Sequence, residues 1–397
     1  MPQPVYDVII VGGGPAGSYA AYELASLNHR VAVLEQKRAA GVDVCCTGII
    51  STECFHSLRA SPNVILAEIR SARFYSPSRK CLRVQTEEVP AVVVDRSLLD
   101  KEVAARAQSH GAEYFFSTYV FDVAATRNTV IVDAICRHTR ERFAARAIIL
   151  AHGLRPSLPY KLGLSRIKDF LVGAQFEADM EVPDEPEIYF VPQICHGAFA
   201  WIVPLGDRRA YVGLLAASHA RLHLQSFLPF LCHGRKVKEK TEIRQKAIPI
   251  ATLPRTYADR VLVIGDAAGQ TKPTTGGGIY FGHLGTKAAV KVLDKALRDD
   301  NLSAHRLSRY QKEWRSNIGR ELLRGRLIRK IYESLDAHQI DAIFDALGSS
   351  GVTPRLLKSP DFSFDWHGKL LLTAIRHGLP ALLQSKIREL FALEVNS

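Results

Sequence analysis

Short apolar runs alternate with helical spacing along the first third of the chain. Residues 7–11 predict a buried strand, a glycine-rich turn follows, and residues 16–27 carry the pattern of a helix. A second strand is expected at 31–35. Residues 92–96 read as a strand leading into a helix over 97–110 that stops at Gly111. Residues 113–117 read as a strand, 120–125 with 129–136 as a hairpin, and 147–151 as a buried parallel-type strand. The last piece of this kind is 260–266 with the helix after it. Strands alternating with helices predict an α/β unit built on a parallel sheet.

Between Arg155 and Arg255 the period shortens. Strands with aromatic residues, at 170–178, 187–191, 198–203 and 210–215, are separated by Pro and Gly. They predict an antiparallel sheet inserted into the α/β unit and laid over it as a roof. From about residue 287 the chain reads helical to its end. Leu383, Ile387, Leu390 and Phe391 form an amphipathic stripe, expected to pack on the protein's own body.

Composition narrows the class. The 397 residues are 47% hydrophobic and 23% charged, as in a folded globular protein. No apolar stretch approaches the length of a spanning helix. The first strand begins almost at the N-terminus, which leaves no room for a signal peptide. Seven cysteines without paired spacing argue against a disulfide framework and for a reducing compartment. No C-x-x-C pair occurs, so no metal site is expected. The expected location is cytoplasmic, with peripheral contact at a membrane.

The net charge of +12 is uneven: residues 287–330 hold 13 Lys/Arg against 5 Asp/Glu. Such a segment suits anionic headgroups, a phosphorylated substrate or an acidic protein partner. Nucleic acid is not expected, because the segment carries no recognisable binding module.

The turn after the first strand reads Gly12-x-Gly14-x-x-Gly17 with Ala16 inside it. The first glycine allows a sharp turn, the second leaves room for a pyrophosphate, and the third lets helix and strand pack closely. The anion would sit on free N–H groups at the helix start. Glu35 ends the second strand, about 20 residues on, where an acid holds ribose hydroxyls. A second glycine-rich stretch, Gly265-Asp266 followed by Pro273 and Thr275-Gly-Gly-Gly278-Ile279, offers an acid for a sugar-alcohol chain and N–H donors for an anionic ring.

Together with Asp95-Arg96, these marks resemble the FAD-binding motifs of the para-hydroxybenzoate hydroxylase-like group. Gly-Asp-Ala-Ala-Gly with Thr-Gly-Gly-Gly-Ile is most similar to its geranylgeranyl reductase branch. The resemblance covers roughly residues 5–290. It implies an α/β fold with a three-layer ββα Rossmann-type FAD-binding domain (1–75, 92–154 and 256–290). It also implies a β-sheet substrate domain (76–91 and 155–255) and a C-terminal helical region (291–397). It implies FAD as cofactor, with Gly12, Gly14, Ala16 and Gly17 at the pyrophosphate and Glu35 at the adenosine ribose. Arg96 would reach the phosphates or ribityl chain, Val120 the adenine, and Asp266 the ribitol or pyrophosphate. Gly277, Gly278 and Ile279 would lie along the isoalloxazine.

The segment Gly41–Gly48 falls where these reductases carry a cysteine near the flavin. Cys45 takes that position as a candidate proton donor, with Cys46 and Gly48 beside the cofactor. Cys46 stands where the family has glycine, and Asp43 where it has lysine. Phe199, Trp201 and Val203 share one sheet face by period-two spacing and resemble the family's cavity-lining segment. The implied reaction is saturation of C=C bonds in a prenyl chain by hydride from reduced flavin. The substrate would be a prenyl lipid or prenyl diphosphate. Ala151-His152-Gly153 replaces the Ala-Asp-Gly associated with pyridine-nucleotide use, which turns attention from NAD(P)H to a ferredoxin-like donor docking on the basic segment. The alternatives are a flavin monooxygenase or halogenase, whose tryptophan motif Phe199–Pro204 partly matches, and a non-catalytic prenyl-lipid-binding flavoprotein.

Overall fold

Val8, Ile9 and Ile10 are fully buried in the strand Tyr6–Val11, so both faces of this strand need cover. The computed structural model describes residues 6–154, 157–194, 197–232, 234–349, 363–366 and 368. Its first sheet runs in the order Tyr257–Ala258, Val261–Val263, Thr139–Leu150, Tyr6–Val11, Val31–Leu34, Glu113–Phe115. All neighbours except the first pair are parallel. Helices Pro15–Ser26, Arg96–Ser109 and Ile279–Arg298 cover one face, through residues such as Leu24, Val103 and Leu293. The hairpin Thr118–Ala125 and Val130–Cys136 covers the other, packing Val120, Val123 and Val132 on Ile9 and Ile148.

The strand expected at 147–151 is the end of a longer one, Thr139–Leu150. Its first half pairs antiparallel with the hairpin and its last half parallel with Tyr6–Val11. Residues 139–142 are exposed and mostly charged, which hides the continuity from a hydrophobicity pattern. Ala91–Val94 likewise leaves the first sheet and forms a small antiparallel one with Ile49–Ser51 and Ile65–Ile69.

The second sheet is antiparallel but for one pair, in the order Val237–Glu239, Phe170–Met180, Arg209–Ala216, Phe199–Gly206, Glu187–Phe190, Ser71–Tyr75, Cys81–Gln85. Arg244–Pro249 adds to Phe170–Met180. One domain boundary needs correction. Ser71–Tyr75 belongs to this sheet rather than to the dinucleotide half, because it hairpins onto Cys81–Gln85 and pairs in parallel with Glu187–Phe190. Helix Ala220–Cys232 buries the outer face through Leu224 and Leu231. The inner face carries Phe190, Phe199 and Trp201.

The later helices tie the two sheets together. Tyr310 and Trp314, on Ala304–Trp314, bond to the Val263 carbonyl (2.7 Å) and to Thr256 Oγ1 (3.1 Å) beside the first sheet. Helices Arg320–Glu333 and Ala337–Ser349, with Leu335 in the turn between them, pack Ile331 and Phe344 against Phe74, Leu82 and Phe190 of the second. The stripe of Leu383, Ile387, Leu390 and Phe391 lies outside the described residues. Among the described residues no helix is long and apolar enough to cross a membrane.

Candidate functional site

Each glycine of the opening turn meets a different constraint. Gly12 has φ +105°, and a Cβ there would lie 2.5 Å from the Ala151 carbonyl oxygen. A Cβ on Gly17 would overlap the Gly12 carbonyl. A Cβ on Gly14 would meet nothing within 4 Å. Gly14 also caps helix Pro15–Ser26 without any side-chain hydrogen bond. The helix therefore presents unsatisfied N–H donors to open space, a cradle shaped for an anion. Glu35 closes one side: its carboxylate accepts from Gly13 N (2.6 Å) and Lys37 N (2.8 Å). Val120 is buried on the neighbouring strand, two residues after Thr118, whose N–H donates to the Glu35 carbonyl. His152 borders the turn, its Cα 2.9 Å from a Cβ placed on Gly12.

The second glycine stretch arrives at the same place. Gly265, at φ +64°, comes so close to Ala16 that an added Cβ would sit 3.1 Å from the Ala16 Cβ. Asp266 follows at once. Its carboxylate pairs with Lys246 Nζ (2.8 Å) and accepts from Thr271 Oγ1 (3.1 Å). Burial alone would raise the Asp266 pKa, but the Lys246 charge and these bonds outweigh it and hold the carboxyl below the usual range. A Cβ on Gly278 would lie 2.7 Å from Asp266 Oδ1. Gly278 begins helix Ile279–Arg298, again without a side-chain cap, and Gly277 precedes it. Two helix N-termini thus open on one trough beside Asp266.

Arg96 enters from the start of its own helix, buried and paired with Asp100 (2.9 Å). Its Nε is buried without a hydrogen-bond partner. Desolvation opposes its charge, yet Asp100 and Cys46 more than compensate, so its pKa is raised. Gly48, at φ +77°, brings the 41–48 loop against the Val94 carbonyl and the Arg96 stem. Gly48 N donates to Cys46 Sγ (3.4 Å). Cys45 lies in the same loop, and burial pushes its thiol up to about 11 against the pull of Lys246 and Arg244. It is a protonated thiol at neutral pH, a form that can give a proton and is a poor nucleophile.

Above the trough, Trp201 and Phe199 stand 5.7 Å apart on the inner face. Gln175 Oε1 accepts from Trp201 Nε1 (3.2 Å) and from Thr47 Oγ1 (2.7 Å), which joins the roof to the cysteine loop. Val203 is buried deeper, in the cluster with Ile69 and Val93. Several residues had no sequence signal. Lys272 pairs with Asp365 (2.7 Å), both buried, and Phe364 packs in the cluster that Trp201 borders. Asp365 and Phe364 come from a stretch with no motif. Lys246 looks like any polar residue of a half-exposed strand.

The basic segment is less open than its count suggests. Lys291, Arg298, Arg306, Arg326 and Arg329 are each ion-paired, and Arg329 is buried. Lys295, Arg309, Lys312 and Arg320 remain exposed.

The residues present suit a dinucleotide: an open Gly14, two uncapped helix starts and the spare Arg96 Nε. Comparison with known proteins agrees. A family profile described as lycopene cyclase protein matches residues 7–349. Digeranylgeranylglycerophospholipid reductase 2 of Methanothermobacter thermautotrophicus is 32% identical over 354 residues, 86% of this chain and 91% of that protein. A geranylgeranyl bacteriochlorophyll reductase-like protein from Thermoplasma acidophilum superimposes with a TM-score of 0.85 at 22% identity, over 97% of this chain and 99% of that one. A point mutant of the halogenase PltM, solved in complex with FAD, shares the fold at a TM-score of 0.68 and 16% identity, over 97% of this chain and 90% of that one. The chain belongs to the geranylgeranyl reductase family, on the fold of the FAD-binding oxidoreductases.

Proposed function

We propose that this chain binds FAD in the trough and saturates C=C bonds of a prenyl chain carried by a phospholipid or diphosphate head. The observation that carries the reading is the inner face of the roof. Phe199 and Trp201 are only half-buried there, and Leu215, paired with Phe199, reaches to 3.8 Å from a Cβ placed on Gly276. An apolar surface therefore abuts the glycine run. The indole N–H of Trp201 is satisfied by Gln175, so the ring itself asks nothing polar of a ligand. Relatives named as digeranylgeranylglycerophospholipid reductases support a polyprenyl substrate.

Reduced FAD, when bound, supplies the hydride. An isolated alkene has no carbonyl to hold developing charge, so the protein's share is placement, exclusion of water and a proton. Phe199 and Trp201 orient and dry the chain. Cys45 Sγ holds a proton at neutral pH and is the residue we assign to deliver it. The exposed cations Lys295, Arg309, Lys312 and Arg320 would suit an acidic, ferredoxin-like donor.

Anaerobic incubation of FAD-loaded, dithionite-reduced protein with a panel of prenyl lipids tests the reading. A gain of about two mass units per saturated bond is expected. No gain with FAD still bound would overturn it. An oxygenated or halogenated product formed with O₂ would favour the monooxygenase or halogenase reading instead.

A further inference from the structure

Lys246 occupies a place that no glycine motif accounts for. Its strand, Arg244–Pro249, pairs antiparallel with Phe170–Met180, with Gln175 opposite Arg244 and Gly173 opposite Lys246. Alternation puts Arg244, Lys246 and Ile248 on the inner face of the roof. Each reaches a different part of the first half. Arg244 Nη1 donates to the Val44 carbonyl (3.3 Å). Lys246 pairs with Asp266 (2.8 Å). Ile248 lies 3.3 Å from a Cβ placed on Gly276. The strand therefore runs lengthwise over the trough, from the cysteine loop past Asp266 to the second glycine run.

The charges there need balancing. Asp266 sits next to the start of helix Pro15–Ser26, because Gly265 touches Ala16. A dinucleotide would bring phosphate charge up to a carboxylate that is itself ionised, and like charges repel. Asp266 is mostly enclosed, at 18% side-chain exposure, whereas Lys246 is 46% exposed and so reachable from the trough. The neighbouring Asp266 carboxylate raises the Lys246 pKa, so the ammonium stays protonated.

We infer that Lys246 is a cofactor-anchoring residue: its ammonium, held by Asp266, neutralises that carboxylate and faces the anionic part of bound FAD, so the roof closes on the cofactor through it. The inference rests on the reading that the chain binds FAD. Arg96, with its spare Nε, supplies a second cation near Asp266. The two differ in origin. Arg96 belongs to the half that carries the glycine motifs, and Lys246 to the roof.

The test is FAD affinity, followed by flavin fluorescence quenching at low and high salt, for wild type, Lys246→Met and Lys246→Arg. Melting of each apoprotein is measured alongside. Lys246→Met should weaken FAD about tenfold or more, and Lys246→Arg should stay within about threefold. Wild-type affinity should fall more steeply with salt than that of Lys246→Met. Unchanged affinity in Lys246→Met would overturn the inference. So would equal losses in both variants matched by lower apoprotein melting, which would make Lys246 a strut between the halves. If wild type takes up no FAD, the functional reading itself fails and this inference falls with it.

Discussion

The indole of Trp201 lies across Gly213 on the neighbouring strand, so close that a Cβ on Gly213 would overlap its Cε2 and Cζ2. The glycine is what lets the ring lie along the sheet and bond to Gln175 rather than project into the trough. Gly213→Ala should push the indole off the sheet and break that bond. The expected cost is about 1–3 kcal/mol, as for other overpacked sites. Denaturant unfolding reads the stability, and a red shift in tryptophan emission reads the displaced ring. Turnover should fall with them, and an unchanged emission maximum would contradict this account of Trp201.

Gly14 and Gly17 should separate cofactor uptake from folding. Gly14 has φ −74° and ψ −177°, which alanine adopts freely, and its Cβ direction is empty. Gly14→Ala should leave the apoprotein within about 0.5 kcal/mol of wild type. It should still weaken FAD about tenfold or more by filling the space a pyrophosphate needs. Gly17→Ala forces a methyl into the Gly12 carbonyl and should destabilise the fold by about 1–3 kcal/mol or more. Thermal melts of apoprotein beside FAD titrations distinguish the two.

Cys45 carries a pH signature. Its folded pKa, about 11, lies above the ordinary thiol value of 9.0. Below that ordinary value both folded and unfolded forms hold the proton, so the group leaves stability unchanged. As pH climbs from there toward the folded pKa, the unfolded thiol ionises first and stability is lost. Cys45→Ala should reduce that alkaline loss. Alkylation of Cys45 by iodoacetamide should be slow at neutral pH and rise steeply only in the alkaline range. If its thiol is the proton source, Cys45→Ala should lower kcat by about 100-fold or more while substrate affinity is kept.

Arg329 is buried, bonded through Nε to Glu333 (2.7 Å), with both Nη atoms enclosed and lacking hydrogen-bond partners. Glu333→Ala strands that charge and should cost about 3 kcal/mol. Arg329→Met removes the charge and its unmet donors together, and stability should stay equal or rise. Paired urea unfolding curves check both signs, and a loss in Arg329→Met equal to that in Glu333→Ala would contradict the argument.

Legibility followed the range of the physics. The strand, glycine turn and helix at the start could be read because backbone freedom at Gly12 and hydrophobic period at 8–11 are local properties. The period-two stretch at 198–203 announced a roof for the same reason. Thr139–Leu150 escaped because half of it is charged and solvent-facing, and its partners, not its own pattern, make it a strand. That Ser71–Tyr75 joins the second sheet is not legible, because nothing in those residues says that they will pair with Glu187–Phe190.

The sequence by itself determined the α/β class with an inserted antiparallel sheet and the two glycine turns, since these depend on φ, on side-chain size and on spacing between near neighbours. Tertiary structure alone decided that Gly265 meets Ala16, that Lys246 pairs with Asp266, and that Lys272 and Asp365 are buried together. Those contacts join residues far apart along the chain. Their energy comes from partners that folding brings close and from the water that folding removes, and neither is encoded in the residues on either side.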